Sequence, residues 1–319
     1  MQISSAATIR PDLADAVGEY DSNLDGQFMA LDILPVMPSQ DCSGTFGLLP
    51  IENITDGSNS GKRAPGGPYP RQQSEAETGS FTCEEYGFEE PVDDSVAKRL
   101  GRYFDAELAA SQINRFRLRR AQEIRAATLL FNASNFAGYT AAVTTEWDTA
   151  ATAVPVADIQ GIVKTLKTQV GGVIMDGEIC VAMSETVFWN VAKTVEYKAL
   201  RGGGNGAGRG EYILPTTAQE MAQIMGVAQV FNSNAQSAAA DIWDDEYCLI
   251  FLRNVSPLLN ATVQLGRSFL WTADTPENAT IETYRDEVVR SNIARVRQFV
   301  DETVFNYAAG YLLSNITTT

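Results

Sequence analysis

The pattern of apolar and polar positions divides the chain into stretches with and without a core of their own. Residues 1–45 are weakly periodic. A short helix is predicted near Pro11–Val17, and then comes the apolar run Phe28–Met37, FMALDILPVM, broken by prolines. An arm of this pattern has no partner face of its own and is expected to lie against something else, in this molecule or the next. Residues 46–92 read as an extended hairpin. Phe46–Ile51 is one strand candidate and Ser80–Phe88 the return strand. The tip between them, Asp56–Gln73, is dense in Gly, Pro and Ser, a composition that resists packing.

A long helix is predicted next. Asp93 or Asp94 supplies the N-cap. Val96, Leu100, Phe104, Leu108, Ile113, Phe116, Ile124, Ala127 and Phe131 follow at mostly three- or four-residue spacing, with slips that place a break near Gly101–Asp105. Unbroken to Phe131, the helix would span about 58 Å. A second unit begins near Pro155. Val156, Ile159, Ile162, Val163, Leu166 and Val170 mark a helix face that Gly171 and Gly172 end. Glu178–Met183 is an apolar strand, and Ser184 caps the helix after it. Thr217 caps a helix over Ala218–Met225 that Gly226 closes, while Val227–Phe231 and Tyr247–Arg253 read as buried strands. This is an α+β unit of ordinary domain size. Period-2 stretches at Thr262–Trp271, Ala279–Arg285 and Asn292–Phe305 make the tail a set of strands.

Composition narrows the functional classes. The 319 residues are 45% hydrophobic, enough for a sizeable core, in two domains or one with large extensions. No apolar run approaches the ~18–20 residues that cross a bilayer, so no membrane partner is expected. The first residues lack the basic-then-apolar order of a secretory signal. Cys42, Cys83, Cys180 and Cys248 form no CxxC pair and read as reduced and structural, as in a cytosolic chain. Histidine is absent, which removes the commonest general base and metal ligand. The net charge of −16 argues against a nucleic-acid reader.

Three candidate sites fall short of chemistry. Asp21, Asn23, Asp25 and Gly26, with Asp32 at the twelfth place, resemble a calcium loop, but the last ligand is Asp in place of Glu and strong flanking helices are not evident. The loop Gly202–Gly210 lacks the Lys-Ser/Thr of a phosphate loop and does not open a helix. Glu84, Glu85, Glu89 and Glu90 have no acid–base partner, and Trp147, Trp189, Trp243 and Trp271 read as core. No catalytic, cofactor-binding or metal residue is assigned, and the chain is not expected to be an enzyme. A metal- or nucleotide-dependent enzyme using Asp21–Asp32 or Gly202–Gly210 is the alternative from a different class.

Charge is unevenly placed. Residues 1–92 hold 15 acidic and four basic side chains, whereas residues 93–125 hold eight basic and five acidic ones, with Arg115, Arg117, Arg119, Arg120 and Arg125 close together. Either the arginines form a solvated face, or the acidic arm and hairpin meet the basic helix between subunits. On the second reading, reversing Arg119 and Arg120 impairs assembly while the subunit still folds.

The order of several segments carries a resemblance. They are Phe28–Val36, Arg63–Gly67, the acidic Phe88–Asp94 leading into the long helix, and Glu146-Trp147-Asp148. Cys180–Ser184, Gly266–Trp271 and Thr283–Glu287 complete the set. In this order they resemble tailed-bacteriophage major capsid proteins over nearly the full length, a fold shared with encapsulins. The resemblance implies an α+β fold in four parts. An N-terminal arm (1–45) reaches to a neighbour, and an extended loop (46–92) also binds adjacent subunits. A peripheral domain (93–152 and 257–319) contains the spine helix (93–131), and an axial domain spans 153–256. It implies a structural protein without cofactors that self-assembles, as pentamers and hexamers, into an icosahedral shell around double-stranded DNA contacted non-specifically. Its other implied partners are portal, scaffolding and cement or decoration proteins, and its place is the virion, assembled in the host bacterial cytoplasm. An encapsulin-type compartment is the close alternative. Some relatives crosslink a loop lysine to an asparagine. The only loop lysine is Lys62, and no partner motif accompanies it.

Overall fold

The computed structural model describes residues 7–24, 27–48, 61–63, 65, 67, 69, 71, 77–101, 105–169, 178–201, 216–237, 240–255, 263–276 and 278–318. The arm holds β1 (Thr8–Ile9), α1 (Pro11–Leu24), α2 (Ala30–Ile33) and β2 (Val36–Ser39). The hairpin strands are β3 (Ser43–Leu48) and β4 (Glu77–Thr82), and β5 (Glu84–Asp93) leads into α3 (Asp94–Leu100) and α4 (Ala106–Leu130). After β6 (Thr140–Ala142) come α5 (Pro155–Gln169), β7 (Glu178–Ser184), α6 (Glu185–Lys193), α7 (Val195–Arg201) and α8 (Ala218–Met225). The remaining strands are β8 (Gln229–Ser233), β9 (Gln236–Ser237), β10 (Ala240–Asp241), β11 (Cys248–Arg253), β12 (Gly266–Trp271), β13 (Thr280–Asp286), β14 (Ser291–Val304) and β15 (Gly310–Ser314).

One sheet runs β6-β15-β11-β7-β8 and is covered on both faces. Side chains alternate across it as a pleated strand requires. Ile179, Val181 and Met183 of β7, with Cys248, Ile250 and Leu252 of β11, pack on the apolar stripes of α5 to α8. Cys180, Ala182, Leu249 and Phe251 face the other way, onto Met29, Ile33 and Leu34 of the arm and Ala126, Ala127 and Leu130 of α4. Burial on both faces explains why these strands read as unbroken apolar runs. The capping residues act as their types dictate. Ser184 accepts from the Val187 amide, and Thr217 from that of Glu220. Gly226 closes α8 at φ +73°, a left-handed conformation that favours glycine.

The second sheet runs β1-β13-β14-β12-β2, with β5 also on β14. Strand β14 pairs with β5 over the ten-residue register from Ser291↔Asp93 to Val300↔Glu84. The arm joins this sheet at both ends, because β1 pairs with β13 and β2 runs parallel to β12.

The long helix is interrupted at the break that the spacing slips predict: α3 ends at Leu100 and α4 starts after its N-cap Asp105, so α4 spans about 37 Å. Its buried face is not the one that hydrophobic spacing selects, since Ile113 and Ile124 are exposed while Asn114, Arg115, Arg119, Gln122 and Glu123 are buried. The arm lies on its own subunit, with Leu13 and Val17 of α1 against Leu118 of α4. Strand β15 completes the sheet of β7 and β11. The hairpin tip, 56–73, lies largely outside the described residues, and 202–210 lies wholly outside them.

Candidate assembly surface

The candidate ligand positions lie on different elements. Asp21 and Asn23 sit within helix α1, not in a ligand loop. Asp32, the twelfth place, lies 3.7 Å from the Arg253 guanidinium. Asp25 and Gly26, like the glycine loop 202–210, are outside the described residues. Among the described residues no group of three His, Cys, Asp or Glu side chains is placed to hold a metal ion. Trp147 and Trp243 are core, as expected, whereas Trp189 is 42% exposed.

The acidic residues of β5 meet arginines within the same subunit. Glu90 pairs with Arg117 of α4 at 2.9 Å and Glu89 with Arg295 of β14 at 2.5 Å. Arg295 also reaches Glu282 of β13, 3.4 Å away. Arg297 binds the same Glu282 at 2.8 Å, lies 3.7 Å from Glu85, and contacts Asp274. Strand β14 therefore presents two arginines between acids on both neighbouring strands, which favours the observed register. Sequence reading missed this pair, although the Arg-x-Arg spacing in a period-2 strand was its signal.

The arginines of α4 are likewise engaged within the chain. Arg115 is buried and donates to the Asn278 carbonyl oxygen at 3.2 Å. Arg119, also buried, lies 5.9 Å from the ring centroid of Phe28 in the arm. Arg125 binds both oxygens of Glu302, at 2.9 and 3.0 Å, and stacks 3.8 Å over Tyr86 of β5. Within the chain the acidic segment meets the arginine cluster through Glu90 and Arg117, while Arg119 is buried. This corrects the expectation for Arg119: reversing its charge strikes a buried position, so it does not leave the fold intact.

A buried junction holds the arm to the body. Glu123 accepts from the Ala30 amide at 2.8 Å and from the Trp243 indole at 2.7 Å. Burial raises its pKa to about 7, against the pull of those donors and of the Arg119 charge.

Large apolar side chains stay exposed on several elements, α6, α7 and the β13–β14 turn among them. On α6, α7 and the residue before α5, the side chains of Trp189, Val195, Leu200 and Val154 are exposed. At the turn between β13 and β14, Val288 is 80% exposed and Val289 follows it. An apolar doublet in a turn was legible in the sequence and was not singled out. The hairpin adds another surface. Strands β3 and β4 form a two-stranded sheet, anchored at its root by Phe46 and Phe81 packing on Phe269. A two-stranded ribbon is marginal by itself and gains from a further surface to lie on.

No protein-family model matches the chain, and no curated protein matches it either. Solved structures do. A phage-related protein from Bordetella bronchiseptica superposes with a TM-score of 0.67 at 16% identity, covering 98% of both chains. The capsid protein of cyanophage P-SCSP1u matches with a TM-score of 0.57 at 12% identity, over 88% of this chain and 86% of that one. The chain has the phage capsid fold. The same fold relates it to the SrpI encapsulin of Synechococcus elongatus, with a TM-score of 0.50 at 10% identity over 90% of this chain and 86% of that one. Within the capsid fold the hairpin, the α6–α7 face and the β13–β14 turn are uncovered surfaces on separate elements.

Proposed function

We propose that the chain is the major capsid protein of a tailed bacteriophage, a structural subunit and not an enzyme. It assembles as pentamers and hexamers into an icosahedral shell around double-stranded DNA. The observation that carries this reading is the capsid fold running through most of the chain, the arm and hairpin included. The four-part division, arm (1–45), extended loop (46–92), peripheral domain (93–152 and 257–319) and axial domain (153–256), belongs to the same proposal. The uncovered apolar surfaces on separate elements support it, because one subunit then meets several neighbours at once. The net charge of −16 fits a wall that encloses a polyanion without binding it tightly. Portal, scaffolding and cement proteins would be its further partners, and the virion, assembled in the host bacterial cytoplasm, its location.

The likeness to the Synechococcus encapsulin favours one second reading, a compartment around protein cargo. Electron microscopy of the expressed chain tests the shared part: closed particles are expected, and a monomer under all assembly conditions overturns both readings. Nuclease-resistant double-stranded DNA in particles from native cells separates the capsid from the compartment.

A further inference from the structure

Two thiols 41 positions apart in the chain meet at the root of the hairpin. The β3–β4 register begins at Ser43↔Thr82, and one step further along it Cys42 opposes Cys83. The Cys83 amide donates to the Cys42 carbonyl oxygen at 2.8 Å, and the Cys42 thiol donates to the Cys83 carbonyl oxygen at 3.3 Å. Residues opposed in this way have Cα atoms about 5.5 Å apart and side chains on one face. That lies inside the ~4.4–6.8 Å that a disulfide spans. Both side chains belong to the cluster around Phe269, where Cys83 is buried and Cys42 half-buried.

The other two cysteines are not so arranged. Cys180 and Cys248 sit on adjacent strands but point to opposite faces, one into the core under the arm and α4, the other into the core under α5 to α8. Four cysteines therefore reduce to one pair fit for bonding.

We propose that Cys42 and Cys83 are a modification site: a cross-strand disulfide formed by exchange with a small disulfide such as oxidised glutathione. The half-buried Cys42, as thiolate, attacks one sulfur of the small disulfide. That step forms a mixed disulfide and expels one small thiolate. Cys83, as thiolate, then attacks the Cys42 sulfur and expels the second. The protein loses two electrons and two protons, and the small disulfide becomes two thiols. Burial pushes the Cys83 thiol up to about 11, so the second step accelerates as pH rises toward that value. In a reducing cytoplasm the pair stays open, and it closes in an oxidising medium. Closure ties the connection before β3 to the one between β4 and β5, fixing the hairpin root against Phe269 while leaving its far end free. The inference rests on the strand register and is independent of what the particle encloses.

The test uses the full chain, incubated with oxidised glutathione across a range of ratios to reduced glutathione, then denatured and alkylated. Free thiols are expected to fall from four to two per chain. The mass should be two hydrogens lighter, and peptide mapping should join Cys42 to Cys83. The Cys180→Ser/Cys248→Ser variant should still close the bond, and Cys42→Ser should not. Four thiols remaining at every ratio would overturn the proposal. So would a lasting glutathione adduct on Cys42, or linked peptides that join two chains.

Discussion

The buried face of α4 changes character along its length. From its start to Glu123 it sets Ser111, Asn114, Arg115, Arg119, Gln122 and Glu123, with the apolar Ala110 and Leu118 among them, against the β5–β14 sheet and the arm. Its last turns set Ala126, Ala127 and Leu130 against Phe251 and Leu249 of the other sheet. The apolar half gains from area removed from water, which is non-directional and tolerates small shifts. The polar half gains only when each donor meets its acceptor. Asn114, for instance, reaches the Ala294 carbonyl oxygen of β14 at 3.1 Å. A helix built in this way is held by bulk burial at one end and in fixed register at the other. The arm meets both parts: Leu13 and Val17 pack on Leu118, and Met29, Ile33 and Leu34 join the apolar last turns.

Four substitutions break or sharpen that comparison. The largest effect is expected from Arg119→Glu, which sets a second acid beside buried Glu123. Breaking a buried charge arrangement costs about 3–5 kcal/mol, read as a lower denaturation midpoint or loss of soluble subunit. A cost below about 1 kcal/mol would mean that the polar half tolerates disorder, and the contrast would fail. Ile250→Ala, in the dry core, should cost about 2–5 kcal/mol by removing buried methyl groups. Its signature is a lower midpoint with no change in pH dependence.

Glu123→Gln comes next, and pH is its readout. Burial raises the folded pKa from 4.5 to about 7. Between those values the folded chain holds more protons than the unfolded one, so this group's contribution to stability falls as pH rises through the window and is level above it. The glutamine has no such titration. Urea midpoints at pH 5 and pH 7.5 should therefore shift in favour of the variant, by about 3 kcal/mol at most. No relative shift would place the carboxylate in a wetter site than its contacts imply. The smallest effect belongs to Glu90→Ala. Its partner Arg117 is 43% exposed, so the loss should stay under about 0.5 kcal/mol in the same assay.

Local signals were legible where one residue decides the structure. Asp93, Ser184 and Thr217 cap helices as their side chains require, and the strands at 178–184 and 248–253 announce themselves as unbroken apolar runs. Reading failed where burial and polarity part company. Spacing chose Ile113 and Ile124 for the inner face of α4, because Arg115, Gln122 and Glu123 could not be recognised as buried without their partners on β14, the arm and Trp243. The three residues of β6 were too short to carry a period. The Cys42–Cys83 contact needed the hairpin register, and four widely separated cysteines do not contain it. The likeness to capsid proteins rested on the order of several weak segments, a form of information that no single segment holds.

Strand β15 is the last strand in chain order, yet it lies second in its sheet, between β6 and β11. Strand β14 pairs with β5, some two hundred positions earlier in the chain. Neither sheet closes before synthesis has passed these strands. Folding must wait for synthesis to pass both strands, and contacts of such sequence separation form slowly. The arm and hairpin, made first, spend that interval without the surface on which they later rest. Synthesis order thus sets a delay before any copy reaches its folded form.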